Sequence, residues 1–266
     1  MDILNATTPN GLAETYLIDS IVKGKYEHGK ILPAERELAE HIGVTRTTLR
    51  EVTGRMGRDG WLTIRHGRPT RVNDIKNTLS LTALNSLCYL DEANSSSYIK
   101  DILDLRCSVA PLYISSALVE SREGAIQVLG LAVRASELMS TSFDEFRLKS
   151  ELFEDYKASV EYGQVLVSRL EESENIALSA AWLDFWVYQQ LAHLASNKIY
   201  GLVVNSLKPT YMDVLSGLYQ SAENIHNLRA HHRTVLKSLK NGKTAEVLES
   251  FDRFGAKTMK LWNRAA

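Results

Sequence analysis

The chain has 266 residues, 44% of them hydrophobic and 24% charged, with five prolines and two cysteines. That is too apolar for disorder, too poor in proline for a collagen-like repeat and too poor in cysteine for a disulfide scaffold, so one or two globular domains are expected. Basic and acidic residues nearly cancel, leaving a net charge of −1, which by itself points to no polyanionic partner.

The opening residues lack the basic and apolar segments of a secretory leader. The most apolar stretch, 176–195, is interrupted by Asp184, Gln189, Gln190 and His193. A cytoplasmic location without membrane contact is therefore expected. Cys88 and Cys107 share no metal or redox spacing and read as buried thiols of a reducing compartment.

Taken in order, the first helix is expected from about Asn10 to Lys25, with Leu12, Tyr16, Ile18, Ile21 and Val22 as its apolar contacts. Pro33 suits the first turn of a second helix ending at Gly43. Thr45 then caps a third helix, which runs to Asp59 and stops at Gly60. Two helices joined by three residues that include a glycine have helix-turn-helix spacing.

The third helix carries Arg46 and Arg50 four residues apart with Thr47 between them, near the N-terminal end that enters a major groove. Guanidinium forks match the O6 and N7 acceptors of guanine, and threonine hydroxyls suit phosphates. Trp61 to Val72 then reads as a short β-hairpin turning at His66-Gly67, which places a wing beside the helices.

Charge marks the same region. Residues 44–73 hold seven arginines against two acids, while the other 236 residues hold 24 basic and 30 acidic groups. A basic head on an acidic body favours a nucleic-acid-binding module joined to a second domain with another task.

From residue 78 onward, helical stretches are expected at about 78–91, 96–119, 122–141, 143–160, 164–172, 175–195, 198–216, 222–241 and 244–263, the last capped by Thr244. Pro111 and Pro209 should kink or interrupt theirs. Such a bundle encloses ligands between helices. On the last helix Gly255, Thr258 and Trp262 share one face, flanked by Arg253, Lys257, Lys260 and Arg264. By composition alone that face is ordinary core packing.

The string Ile31-Leu-Pro-Ala-Glu-Arg-Glu-Leu-Ala-Glu-His-Ile-Gly-Val-Thr-Arg-Thr-Thr-Leu-Arg-Glu-Val52, followed by Arg58-Asp-Gly-Trp-Leu-Thr-Ile-Arg-His-Gly67, resembles the winged-helix head of the GntR family of bacterial transcription regulators, and within it the branch governing fatty-acid metabolism. The resemblance implies a mainly α protein. Residues 1–73 would form a winged helix-turn-helix with a short β-hairpin wing, 74–78 a linker, and 79–266 an all-α helical bundle that binds effector and supports a dimer. It places Arg36, Thr45, Arg46, Thr47, Arg50, His66, Gly67 and Arg68 on DNA-contacting positions. Arg68 stands where a relative has lysine, which keeps the charge.

It also implies that Gly255, Thr258 and Trp262, with Arg106, line a pocket for a long-chain acyl-coenzyme A. Thr258 stands where the family has serine, and Phe254 where it has tyrosine. Related regulators hold a metal with an Asp-x-x-x-His helix and further histidines. Here Asp184 and His232 remain, but Tyr188 and Phe254 replace the others, so no metal is expected, and Asp184 and His232 read as ordinary polar groups.

Between about 138 and 177 the chain exceeds the compact family pattern by roughly forty residues, far more than an ordinary connection needs. Phe143, Phe146, Phe153, Tyr156, Val160, Leu166 and Leu170 recur there at helical spacing. Two added helices are expected, which either pack on the bundle or enlarge the effector site.

Catalysis is not expected. Ser97-Tyr-Ile-Lys100 lacks the companion motifs of penicillin-recognising enzymes. Gly242-Lys243-Thr244 lacks the first glycine of a P-loop, since Lys237 occupies that position. The expectation is a homodimer on a pseudo-palindromic DNA operator, needing no cofactor. It would repress fatty-acid degradation genes, activate unsaturated fatty-acid synthesis genes, and be released by long-chain acyl-coenzyme A. The alternative is a GntR regulator answering to another small effector.

Overall fold

The computed structural model describes residues 8–90, 95–139 and 175–265, which fall into two compact units, Met1–Ile99 and Lys100–Ala266. The added helices expected at about 138–177 lie almost wholly outside the described residues.

In the first unit, α1 (Pro9–Val22) starts where Thr8 Oγ1 accepts the Gly11 amide at 3.1 Å. Its buried stripe is Ala13, Leu17, Ile18 and Ile21, while Leu12 is 42% exposed, so the expected apolar face is rotated by a residue. The next helix, α2 (Glu35–Ile42), has Ala34 at its cap, so Pro33 stands outside the first turn it was expected to occupy. Leu32 explains the shift: it is buried and its amide bonds to Thr70, which keeps the chain extended up to the proline. Gly43 ends α2 at a φ of 84°, a left-handed turn that glycine adopts freely. For α3 (Arg46–Arg58), Thr45 is the cap, its hydroxyl accepting the Thr48 amide at 3.1 Å.

The hairpin is short, as expected. β1 (Leu62–Thr63) pairs antiparallel with β2 (Arg71–Val72) in the register Leu62 to Val72 and Thr63 to Arg71, with a further bridge from Ile31 to Arg71. Ile64, just beyond β1, is 47% exposed and lies over Gly57 of α3.

Residues expected to link the domains form α4 (Ile75–Thr78), capped by Asp74. Asn73 Nδ2 and Thr78 Oγ1 both donate to the Gly60 carbonyl, at 2.9 and 2.8 Å. Gly60 has a φ of 93°, and a Cβ there would lie 1.9 Å from the Thr78 carbonyl oxygen. Only glycine lets these two backbones approach so closely. Ala83 and Leu87, of a 3-10 turn (Leu81–Ala83) and α5 (Leu84–Leu90), join Leu17, Leu38, Leu49, Met56 and Trp61 in one core.

The second unit holds the remainder of α6 (Ser95–Glu120) with α7 (Arg122–Leu138), α8 (Ile176–Leu194), α9 (Ile199–Leu218), α10 (Ala222–Lys240) and α11 (Thr244–Ala265). Helix α8 is its axis: nearly every residue from Ala177 to Ala192 is buried, because α7, α9 and α10 pack around it. Neither Pro111 nor Pro209 interrupts its helix. The Val247 amide bonds to the Lys243 carbonyl, so Thr244 lies inside α11 rather than capping it. Cys88 and Cys107 are half-buried, not fully buried as expected. Among the described residues α6 is the one helix long and apolar enough to cross a membrane, and it carries Arg106 into the centre of the bundle.

Candidate DNA interface and effector site

On the head, Arg46, Thr47 and Arg50 are exposed along the first turns of α3, whose free N–H groups and macrodipole favour phosphate. Thr45 is exposed at the cap, with its hydroxyl already engaged by Thr48. Arg36 projects from α2, 3.9 Å from Glu40. At the wing tip His66, Gly67 and Arg68 are all exposed; the Arg68 amide closes a turn on the Arg65 carbonyl at 3.1 Å, and Gly67 has a φ of 68°.

Charge alone could not tell candidate DNA-contacting arginines from those engaged within the fold. Arg55 is turned inward and paired at 2.8 Å with Glu14, while Arg71 donates to the Gly29 carbonyl at 2.9 Å. Glu35, not singled out from sequence, is shared by two of the candidate arginines: its Oε2 accepts Arg50 Nε at 2.7 Å and stands 3.9 Å from Arg46 Nη2.

In the second unit, Arg106 on α6 is almost completely buried. Its Nη1 donates to Tyr211 Oη and lies 3.6 Å from Asp184 Oδ2, which in turn accepts the Tyr219 hydroxyl at 2.9 Å. The guanidinium also stacks over the rings of Tyr188 and Tyr211, at 5.0 and 5.2 Å. Asp184 is therefore no ordinary polar group but the buried counter-charge of Arg106. The sequence signal was a lone carboxylate in an otherwise apolar helix.

Burial works against charge on Arg106, but Tyr211, Tyr188 and Asp184 hold it protonated. Burial also raises the Asp184 carboxyl above its ordinary range, opposed by Arg106 and Tyr219. Arg106 Nε and Nη2 and Asp184 Oδ1 make no hydrogen bond within the described residues. Such unmet buried groups are rare and call for an explanation.

Arg106 borders two recesses. One is an apolar cleft lined by Leu105, Val109, Phe185, Val203, Val204 and Leu207, closed by Tyr113, Tyr188 and Tyr211. The other lies against α11, where Gly255 faces Cys107: a Cβ at Gly255 would stand 2.7 Å from Cys107 Sγ and 3.9 Å from Arg106 Nη2. The structure thus brings Gly255 and Arg106 together.

Thr258 lines a separate recess with Tyr219, Asn227 and Lys257, and its hydroxyl donates to the Phe254 carbonyl at 2.9 Å. Trp262 stands a turn further on, with Nε1 buried and without a hydrogen-bond partner within the described residues. Phe254, in the position of a family tyrosine, stacks flat on His231 at 4.2 Å. Burial depresses His231, reinforced by His232 and Arg106, and it depresses His232 to about 3, so both rings are neutral. Among the described residues no group of three or more histidines, cysteines or acids stands together as a metal site would require.

Residues 12–72 match the bacterial regulatory proteins of the gntR family, and residues 73–266 match the FadR C-terminal domain. The chain belongs to the GntR family, in its FadR branch. A fatty acid metabolism regulator protein of Vibrio parahaemolyticus is 34% identical over 263 residues, covering 98% of this chain and 94% of that protein. One of Klebsiella pneumoniae is 32% identical over 262 residues, with 98% and 94% covered. A solved structure described under Lar, which controls expression of the Listeria monocytogenes agr system, superposes with a TM-score of 0.55 at 14% identity, covering 98% of this chain and 99% of that one. That likeness speaks to the fold. The chain is a DNA-binding transcription regulator with an effector domain and not an enzyme.

Proposed function

We propose that this regulator controls genes of fatty-acid metabolism, repressing degradation and activating unsaturated fatty-acid synthesis, and that a long-chain acyl-coenzyme A entering its helical unit loosens its grip on DNA. The observation carrying this reading is the buried Arg106 guanidinium, whose Nε and Nη2 have no acceptor among the described residues, between an apolar cleft and the Gly255 recess. An acyl chain suits the cleft. A thioester or pantetheine carbonyl is the acceptor that the Arg106 donors lack, and Lys257 and Lys260 on α11 are exposed for phosphates. The names of the relatives support the same metabolic role.

One head offers one reading helix and one wing, so two heads on a pseudo-palindrome, and hence a homodimer acting in the cytoplasm, fit useful specificity. A coupling of about 1–3 kcal/mol between the sites weakens DNA binding about 5- to 150-fold. The test is a labelled operator duplex, recovered by selection with this protein and titrated with long-chain acyl-coenzyme A, free coenzyme A and small carboxylates. Release by the thioester alone supports the reading. Release by a small carboxylate alone transfers the Arg106 site to that effector class, and no release by any of the three overturns the ligand assignment.

A further inference from the structure

The DNA-reading face contains its own anion. Glu35 opens α2, where N–H groups without intrahelical partners favour a carboxylate and Ala34 supplies no side-chain cap. From there its Oε2 accepts Arg50 Nε at 2.7 Å and lies 3.9 Å from Arg46 Nη2, with all three side chains well exposed. An exposed ion pair of this kind adds little to stability, so a fold-stabilising role is a poor account of it.

Its geometry suits another task. Nε is the donor nearest the aliphatic stem, and engaging it leaves both terminal nitrogens of Arg50 free while fixing the plane of the fork. A fork held in plane loses less freedom when it meets a flat pair of acceptors on a base edge. The same carboxylate opposes the attraction of phosphates, which acts on every sequence alike.

We infer that Glu35 is a positioning residue that sharpens the head's choice of DNA sequence, by holding Arg50 through Nε. The inference rests on the reading of α3 as the helix that meets base edges.

The test uses the full chain, the selected operator and a scrambled duplex of equal length, with affinities measured over a range of salt. Glu35→Gln keeps an acceptor for Nε and removes the charge, so both duplexes bind more tightly and the operator-to-scrambled ratio holds. Glu35→Ala also frees the fork, so the operator-to-scrambled ratio falls about tenfold, the scale of one good arginine contact. In an Arg50→Ala background Glu35→Ala has nothing to position, and its effect on the operator-to-scrambled ratio disappears. An unchanged ratio in Glu35→Ala overturns the inference, as does an equal effect with and without Arg50. The two levels of failure separate: if Arg50→Ala alone keeps full operator affinity, the reading of α3 fails, whereas if it loses affinity and Glu35→Ala does nothing, only the role of Glu35 fails. Unfolding temperatures unchanged in both variants show that the readout is recognition and not folding.

Discussion

Replacing Gly255 by alanine tests the contact between α6 and α11 on which the effector recess depends. Gly255 lies inside a helix and needs no left-handed backbone, so alanine gains about 1 kcal/mol of helix propensity. Against this, the new Cβ stands 2.7 Å from Cys107 Sγ, about 1 Å inside an ordinary contact of ~3.5–4.0 Å. Forcing an extra methyl into a packed interior costs about 1–3 kcal/mol. The net expectation is a loss of about 0–2 kcal/mol, together with loss of the acyl-coenzyme A response because the recess is filled. Cys107→Ala removes the obstructing sulfur. In that background Gly255→Ala becomes stabilising by about 1 kcal/mol, so the pair couples by about 1–3 kcal/mol, and ligand response returns. Urea unfolding of the four proteins, with the denaturant slope checked for constancy, measures the cycle, and calorimetric titration measures the response. Additivity within about 0.5 kcal/mol would refute the packing argument.

Three further outcomes are expected. Arg46→Ala weakens operator binding about 5- to 150-fold, the equivalent of ~1–3 kcal/mol, and leaves ligand affinity intact; equal operator binding by the variant in a mobility-shift titration removes Arg46 from the reading face. Gly60→Ala destabilises the first unit by about 3–4 kcal/mol, from left-handed strain of ~1–2 kcal/mol and two hydrogen bonds to its carbonyl at ~1 kcal/mol each; a loss under ~1 kcal/mol in urea unfolding contradicts the close approach to Thr78. His232 is held at about 3 in the folded chain against ~6.5 unfolded, so the unfolded chain binds the extra proton between those values and stability falls as pH drops through that window. From pH 6.5 to 5 that amounts to about 2 kcal/mol. Unfolding midpoints across this range should fall for the parent and fall less steeply for His232→Phe, where His231 still contributes; parallel profiles count against the assignment.

Much of the head was readable because its signals act between near neighbours. Thr45 capping α3, Gly43 ending α2 and Gly60 ending the turn after Arg58 each depend on a hydroxyl or a missing side chain within a few residues. The exposed arginines of α3 follow from the same local periodicity, since every inward position there is already taken by Leu49, Val52 or Met56. Where such reading failed, a more distant contact had overruled a local preference. Pro33 was displaced from its helix by the hydrogen bond of Leu32 to Thr70, and Arg55 was drawn from the basic patch by Glu14, 41 residues away.

The Arg106 cluster lies at the far end of that scale. Arg106 and Tyr211 are 105 positions apart and Asp184 and Tyr219 are 35 apart, and they meet only because α6, α8 and α9 cross at one depth. A charge in an apolar helix signals that a partner must exist, since burying it alone is too costly. Which residue answers it, and that Gly255 would border the same guanidinium, is set by helix rotation and packing distance, which no local pattern encodes.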